Sequence, residues 1–151
     1  FYLIILSKFI LFKYLTIPDV INHITFNNDG YYWNSHNFIP LKTITYYLFL
    51  ANDINFNIRI ENLTGNVIGF IPFGFLLPLL LNKFHSFKKI GLATFCLSLI
   101  FELLQLIFRI GSFDVDDLIL NTLGGMIGYL PIKLFGMYIK HRRGQRMTVI
   151  N

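Results

Sequence analysis

Glu102, Gln105 and Arg109 are spaced i, i+3 and i+7, so a helix through them carries an acid, an amide and a guanidinium on one face. Asp114, Asp116 and Asp117 follow, and Asn121 lies one turn beyond Asp117. Such groups can hold each other, hold a polar ligand, or move a proton, with Glu102 or Asp117 as general acid or base. No GxSxG elbow, HExxH pair or phosphate-cradling glycine loop accompanies them. His23, His36, His85 and His141 are scattered, with no metal-ligand partner at helical spacing. The single cysteine, Cys96, reads as a small hydrophobe inside an apolar run. No metal and no cofactor is expected.

The elements that must position these groups are written in lipid-compatible sequence. The 151 residues are 54% hydrophobic and 14% charged, against about 25% charged for a soluble domain. Mean hydropathy is +0.57. Four apolar runs stand out, at residues 1–17, 63–81, 90–108 and 118–139. The expected fold is therefore all-α, a single integral membrane bundle of four transmembrane helices. The first run is short and carries Lys8 and Lys13, which lysine stems can lift toward an interface. It reads as a truncated first helix, in a chain that starts at Phe1 rather than Met. Pro72 and Pro78 should kink the second run, and Pro131 should bend the fourth. Gly65 and Gly69, and likewise Gly124 and Gly128, have the small-xxx-small spacing of close helix packing in lipid. In the long loop, residues 18–62, the stretch 41–50 reads as a short interfacial helix, with Tyr46 and Tyr47 at headgroup level.

Charge sets the expected orientation. Lys83, Lys88 and Lys89 lie between the second and third runs, and residues 140–151 hold Lys140, Arg142, Arg143 and Arg146. Both segments should be cytoplasmic, the tail facing anionic lipid rather than nucleic acid. The acidic loops should be outside, which gives an N-in, C-in topology. Asn66, Glu102, Gln105, Arg109, Asp114, Asp117 and Asn121 then share one leaflet. Glu102 would lie about 9–10 Å inside the helix end, where an acid is costly, roughly 2.5–3.5 kcal/mol for Asp near a helix centre. The cluster is either a polar clamp holding three helix ends or a polar pocket open to the outer surface.

Four segments carry a family resemblance. Gly65-Asn66 followed by Phe70-Ile71-Pro72-Phe73-Gly74-Phe75 resembles the GN-x-x-x-FIP-(L/F)-GF signature of the VanZ-like family. Glu102, Gln105 and Arg109 are similar to its E-x-x-Q…R segment, and Asp114, Asp117 and Asn121-Thr122-Leu123-Gly124-Gly125 to its D-x-x-D…NT-x-GG segment. Asn37-Phe38-Ile39-Pro40 resembles its N-(L/F)-I-P element. The resemblance covers residues 37–130. It implies a bacterial plasma-membrane protein, and the founding member is associated with low-level resistance to the glycopeptide teicoplanin. It carries no enzymatic activity with it.

Three functions are compatible with these residues. One is a non-enzymatic envelope protein whose outward polar site binds a lipid-linked cell-wall precursor or a lipoglycopeptide, with membrane lipids as surroundings. A second is an intramembrane acid/base enzyme acting on lipid-linked envelope precursors, although no nucleophile or oxyanion device is evident. The third is a small proton-linked transporter, which with four helices would require an oligomer.

Overall fold

The computed structural model describes residues 1–11, 36–51, 53–108 and 110–148, with side chains through Arg142. It contains five α-helices: α1 Tyr2–Leu11, α2 Lys42–Thr45, α3 Phe56–Leu80, α4 Phe87–Phe108 and α5 Val115–Thr148. A π-helical turn, Tyr46–Leu50, continues α2, and a 3-10 turn, Asn82–Phe84, joins α3 to α4. Among the described residues there is no strand, only an isolated parallel bridge between Asn37 and Asp114.

Among the described residues, three helices are long and apolar enough to cross a membrane: α3, α4 and α5 up to Arg142. In the apolar window of each, only 17%, 28% and 33% of residues are buried by the rest of the protein. Phe75, Leu79, Leu92, Phe95, Ile100 and Leu134 are among the large side chains left facing outward, a surface that suits hydrocarbon rather than water. The expected fourth span is not confirmed among the described residues. The described part of the first is the ten-residue α1, about 15 Å long at 1.5 Å per residue against a hydrocarbon core of about 30 Å. Residues 12–17, including Lys13, lie outside the described residues.

The helix limits differ from the apolar runs for local reasons. Helix α3 begins at Phe56 rather than near residue 63 because Asn55 caps it, its side chain accepting from Asn57 N–H at 2.9 Å. Arg59, in the early turns, donates to the carbonyls of Tyr47 at 2.5 Å and Leu48 at 2.7 Å. A cation at the carbonyl end of the preceding helical turn is electrostatically favoured. Helix α4 starts at Phe87, three residues early, with Ser86 Oγ accepting from Lys89 N–H at 3.3 Å. Helix α5 starts at Val115 rather than 118 and continues to Thr148, so residues 140–148 are helical and not a separate tail. Lysine, arginine and glutamine are good helix formers, and falling hydropathy marks a change of solvent rather than an end of helix. Helix α3 runs unbroken through Pro72 and Pro78, and α5 through Pro131.

Helix α5 packs against both α3 and α4 through glycine. A Cβ on Gly74 would lie 1.8 Å from the Gly125 carbonyl oxygen, and one on Gly125 would lie 2.2 Å from Thr94 Oγ1. Gly124 abuts the Val67 carbonyl and Gly128 the Ile71 carbonyl, at 2.1 and 2.0 Å from a built Cβ. These backbones touch, which no side chain would permit. The close packing expected at Gly65 and Gly69 is absent at Gly65, which meets nothing within 4 Å, whereas Gly69 makes an ordinary 3.6 Å contact with Leu6 of α1. Their face of α3 turns toward α1, while the face carrying Val67, Ile71 and Gly74 meets α5. Leu6, Phe70 and Phe101 form a buried cluster that seats α1 on α3 and α4.

Candidate functional site

The polar residues gather at the end of the bundle away from the Asn82–Phe84 turn. There, residues 36–45 cross the start of α5 as a strap. Asn37 N–H donates to the Phe113 carbonyl at 2.8 Å, and Val115 N–H to the Asn37 carbonyl at 3.0 Å. The Asn37 amide donates to Asp114 Oδ1 at 2.8 Å and to Thr43 Oγ1 at 3.0 Å. Thr43 Oγ1 in turn donates to Asp114 Oδ2 at 2.6 Å.

Asp116 is fully buried and anchors the strap. Its carboxylate accepts from the N–H groups of Leu41, Thr43 and Ile44, the latter two at 2.7 and 3.1 Å. These are the free donors at the start of α2, whose own N-cap residue, Leu41, supplies no side-chain cap and sits in the left-handed region at φ 66°. Three converging N–H groups hold an anion well. Asp116, in the first turn of α5, thus caps another helix more than 70 residues away in sequence.

Glu102 is 1% exposed, and its Oε2 accepts from Asp114 N–H at 2.8 Å. The acid inside α4 therefore fixes the loop that leads into α5. His36 serves the same loop, its Nδ1 accepting from Phe113 N–H at 2.9 Å. Burial pushes the His36 imidazole below its ordinary pKa of 6.5, which keeps that nitrogen an acceptor.

Beside the strap lies a cavity of about 700 Å³, within the range of roughly 300–1,000 Å³ common for small-molecule sites. One wall is apolar, from Ile5, Leu6, Phe9 and Ile10 of α1 with Ile68 and Phe70 of α3. The other is polar, from Thr43, Asn66, Gln105, Asp114, Asp117 and Asn121. The Asn66 amide donates to Asp117 Oδ1, and Gln105 Nε2 donates to the Ile10 carbonyl at 2.9 Å. Tyr2 Oη donates to the Gly69 carbonyl at 2.6 Å, which closes α1 against α3. Asn121 is 2% exposed and donates to Ser98 Oγ at 2.8 Å.

Five of the seven residues picked from sequence, Asn66, Gln105, Asp114, Asp117 and Asn121, line this cavity. Glu102 does not; it stands behind Asp114. Arg109 lies outside the described residues. Sequence reasoning missed Ser98, Thr43 and Tyr2. Ser98 had a legible signal, because Thr94, Ser98 and Glu102 recur every four residues inside an apolar run, the ridge along which helices pack. The pocket can bind an amphiphile and orient its polar end.

The sequence profile of VanZ/LLP1 matches residues 1–136. The chain belongs to the VanZ/LLP1 family. The match spans α1 to most of α5, and so every element that builds the cavity. Among curated proteins the chain is 40% identical over 92 residues to Protein VanZ of Enterococcus faecium, covering 58% of this chain and 52% of that protein. The chain thus spans about half the length of the curated VanZ relative it matches. No solved structure matches it.

Proposed function

We propose that this VanZ/LLP1 protein is a non-enzymatic component of the bacterial plasma membrane that holds a lipophilic envelope molecule at the outer leaflet and confers low-level protection against teicoplanin. The observation that carries the reading is the cavity, with an acyl-compatible wall on α1 and α3 and a polar wall on the three long helices and the strap. Teicoplanin carries an acyl chain and lipid-linked wall precursors a polyprenyl chain, so either would divide itself between these walls. Lys83, Lys88, Lys89 and Lys140 cluster at the opposite end, and basic residues favour the cytoplasmic face. That orientation puts the cavity outside. Glu102 supports the loop through its hydrogen bond and acts as a positioning residue, not as an acid or base on a substrate.

The test is susceptibility of a sensitive Gram-positive host carrying empty vector, this protein, or its Asp117→Leu variant at matched membrane abundance. Protection against teicoplanin, little against vancomycin, and loss of protection in the variant are expected. Equal protection by the variant would remove the polar wall from the mechanism.

A further inference from the structure

We infer that residues 37–41 of the strap are embedded in the leaflet at the cavity end, where Phe38, Ile39 and Leu41 meet lipid acyl chains. The inference rests on the membrane placement of the proposed function and adds a lipid-contact surface outside the spans. Two hydrogen bonds set the depth. Asp114 N–H donates to Glu102 Oε2, and Glu102 lies six residues before Phe108, the end of α4, about 9 Å inside that end at 1.5 Å per residue. The Asn66 amide donates to Asp117 Oδ1, and Asn66 lies ten residues into α3, about 15 Å from its start. Asn37 is bridged to Asp114, and the N–H groups of Leu41 and Thr43 meet Asp116. The strap therefore lies beside the last turns of the bundle, not beyond them. Ile107 and Phe108 of α4 sit nearer the helix end than Glu102 and are exposed themselves, so the outward apolar belt extends past the level of the strap.

Non-helical backbone is tolerated at acyl depth only where protein satisfies its polar groups. The strap meets that demand. Among residues 37–44, Pro40 has no N–H, and six of the other seven N–H groups have protein acceptors. Asn37 donates to the Phe113 carbonyl, Ile39 to Asn37 Oδ1 and Lys42 to the Ile39 carbonyl. Leu41, Thr43 and Ile44 donate to Asp116. Water would supply such partners to a surface loop. The side chains agree with the backbone. Phe38 stacks on Phe113, with ring centroids 5.2 Å apart, yet remains 59% exposed, and Ile39 and Leu41 are 62% and 56% exposed. Three large apolar groups turned outward at this level lose free energy in water and none in hydrocarbon. Lys42 ends the stretch, and its stem can carry the ammonium to the headgroups. Thr43 lines the cavity, so the strap holds part of the polar wall at acyl depth.

The experiment attaches a nitroxide spin label to Phe38→Cys or Ile39→Cys, with Cys96→Ala as background because Cys96 is exposed. Each protein is placed singly in nanodiscs of phosphatidylcholine and phosphatidylglycerol. Ile100→Cys, on the outward side of α4, calibrates lipid, and Lys83→Cys, in the exposed 3-10 turn, calibrates water. Power saturation reads access to oxygen, which partitions into hydrocarbon, and to a water-soluble nickel chelate. Phe38 and Ile39 should favour oxygen as Ile100 does, with loss of nickel access relative to Lys83. Hydroxyl-radical footprinting of the unsubstituted protein reads the same surface without a label: Phe38 should stay unmodified while the exposed His85 is oxidised. Nickel access at Phe38 and Ile39 equal to that at Lys83, or oxidation of Phe38 alongside His85, overturns the inference and leaves the spans and the cavity standing. Protection that appears only in discs holding two proteins assigns the surface to a second copy and overturns it as well. Nickel access at Ile100 overturns the membrane placement and this inference with it.

Discussion

The Asp114 backbone N–H and Glu102 Oε2 meet at 2.8 Å, a hydrogen bond that ties the middle of α4 to the loop entering α5. It accounts for an acid inside an apolar helix without giving that acid a substrate. Glu102→Gln keeps a carbonyl oxygen at the same place and should retain most of the thermal stability in detergent. Glu102→Leu leaves the Asp114 N–H buried without a partner and should destabilise by about 1–3 kcal/mol. Equal unfolding temperatures for the two variants would contradict this role.

Asp116→Ala should release the strap while sparing the bundle. Three N–H groups, of Leu41, Thr43 and Ile44, lose their common acceptor. Limited proteolysis should cut within residues 36–45 at least tenfold faster, as expected for a loss of about 1.4 kcal/mol or more in local closing. Cleavage at the wild-type rate would mean that the carboxylate does not hold the strap.

Gly74→Ala should disrupt the bundle, since the added carbon falls on the Gly125 carbonyl and backbone has nowhere to move. Gly65→Ala should be tolerated, because the same carbon there meets open space. Solubilised yield and thermal stability of the two variants separate these outcomes, and a reversed order would refute the α3–α5 packing described.

His36 makes the loop sensitive to acid. Its folded pKa lies below the ordinary 6.5, so as pH falls below about 6.5 the unfolded or opened form takes up a proton that the closed form does not. Stability of the strap is therefore complete above that pH, falls as pH drops through the window, and levels off below the folded pKa. Amide exchange at Phe113, whose N–H donates to His36 Nδ1, should speed up between pH 7.5 and 5.5 beyond the intrinsic chemical trend. His36→Asn should flatten that excess, and an unchanged excess would point to another group.

The spans were legible because apolar runs report solvent, and α3, α4 and α5 lie where those runs are. Their ends were less so. Asn55 and Arg59 extend α3 through hydrogen bonds rather than hydropathy, and the basic end of α5 stays helical by propensity. Glycine spacing named a face without naming its neighbour: Gly124 and Gly128 meet α3, whereas Gly65 and Gly69 line the cavity. Alternation of basic and acidic loops was enough to draw Asn66, Asp114, Asp117 and Asn121 together. The strap was not legible from residue spacing, since the partners of Asn37 and Thr43 lie 71–77 residues away. The role of Asp116 was hidden by a simpler one, because an acid in the first turn of α5 already has a reason to be there.

The most direct test of the cavity is to fill it. Gly65 lines it and a side chain there meets nothing within 4 Å, so Gly65→Phe should occupy the space while leaving the helix contacts intact. A monoacylglycerol carrying a mid-chain diazirine would be photolysed with the protein in nanodiscs, and the labelled peptides read by mass spectrometry. Labelling of α1 and of the Ile68–Phe70 stretch, lost in Gly65→Phe at unchanged thermal stability, is the predicted result. Unchanged labelling in that variant, or labelling confined to outward positions such as Phe95, Ile100 and Leu134, would contradict a bound amphiphile in this cavity.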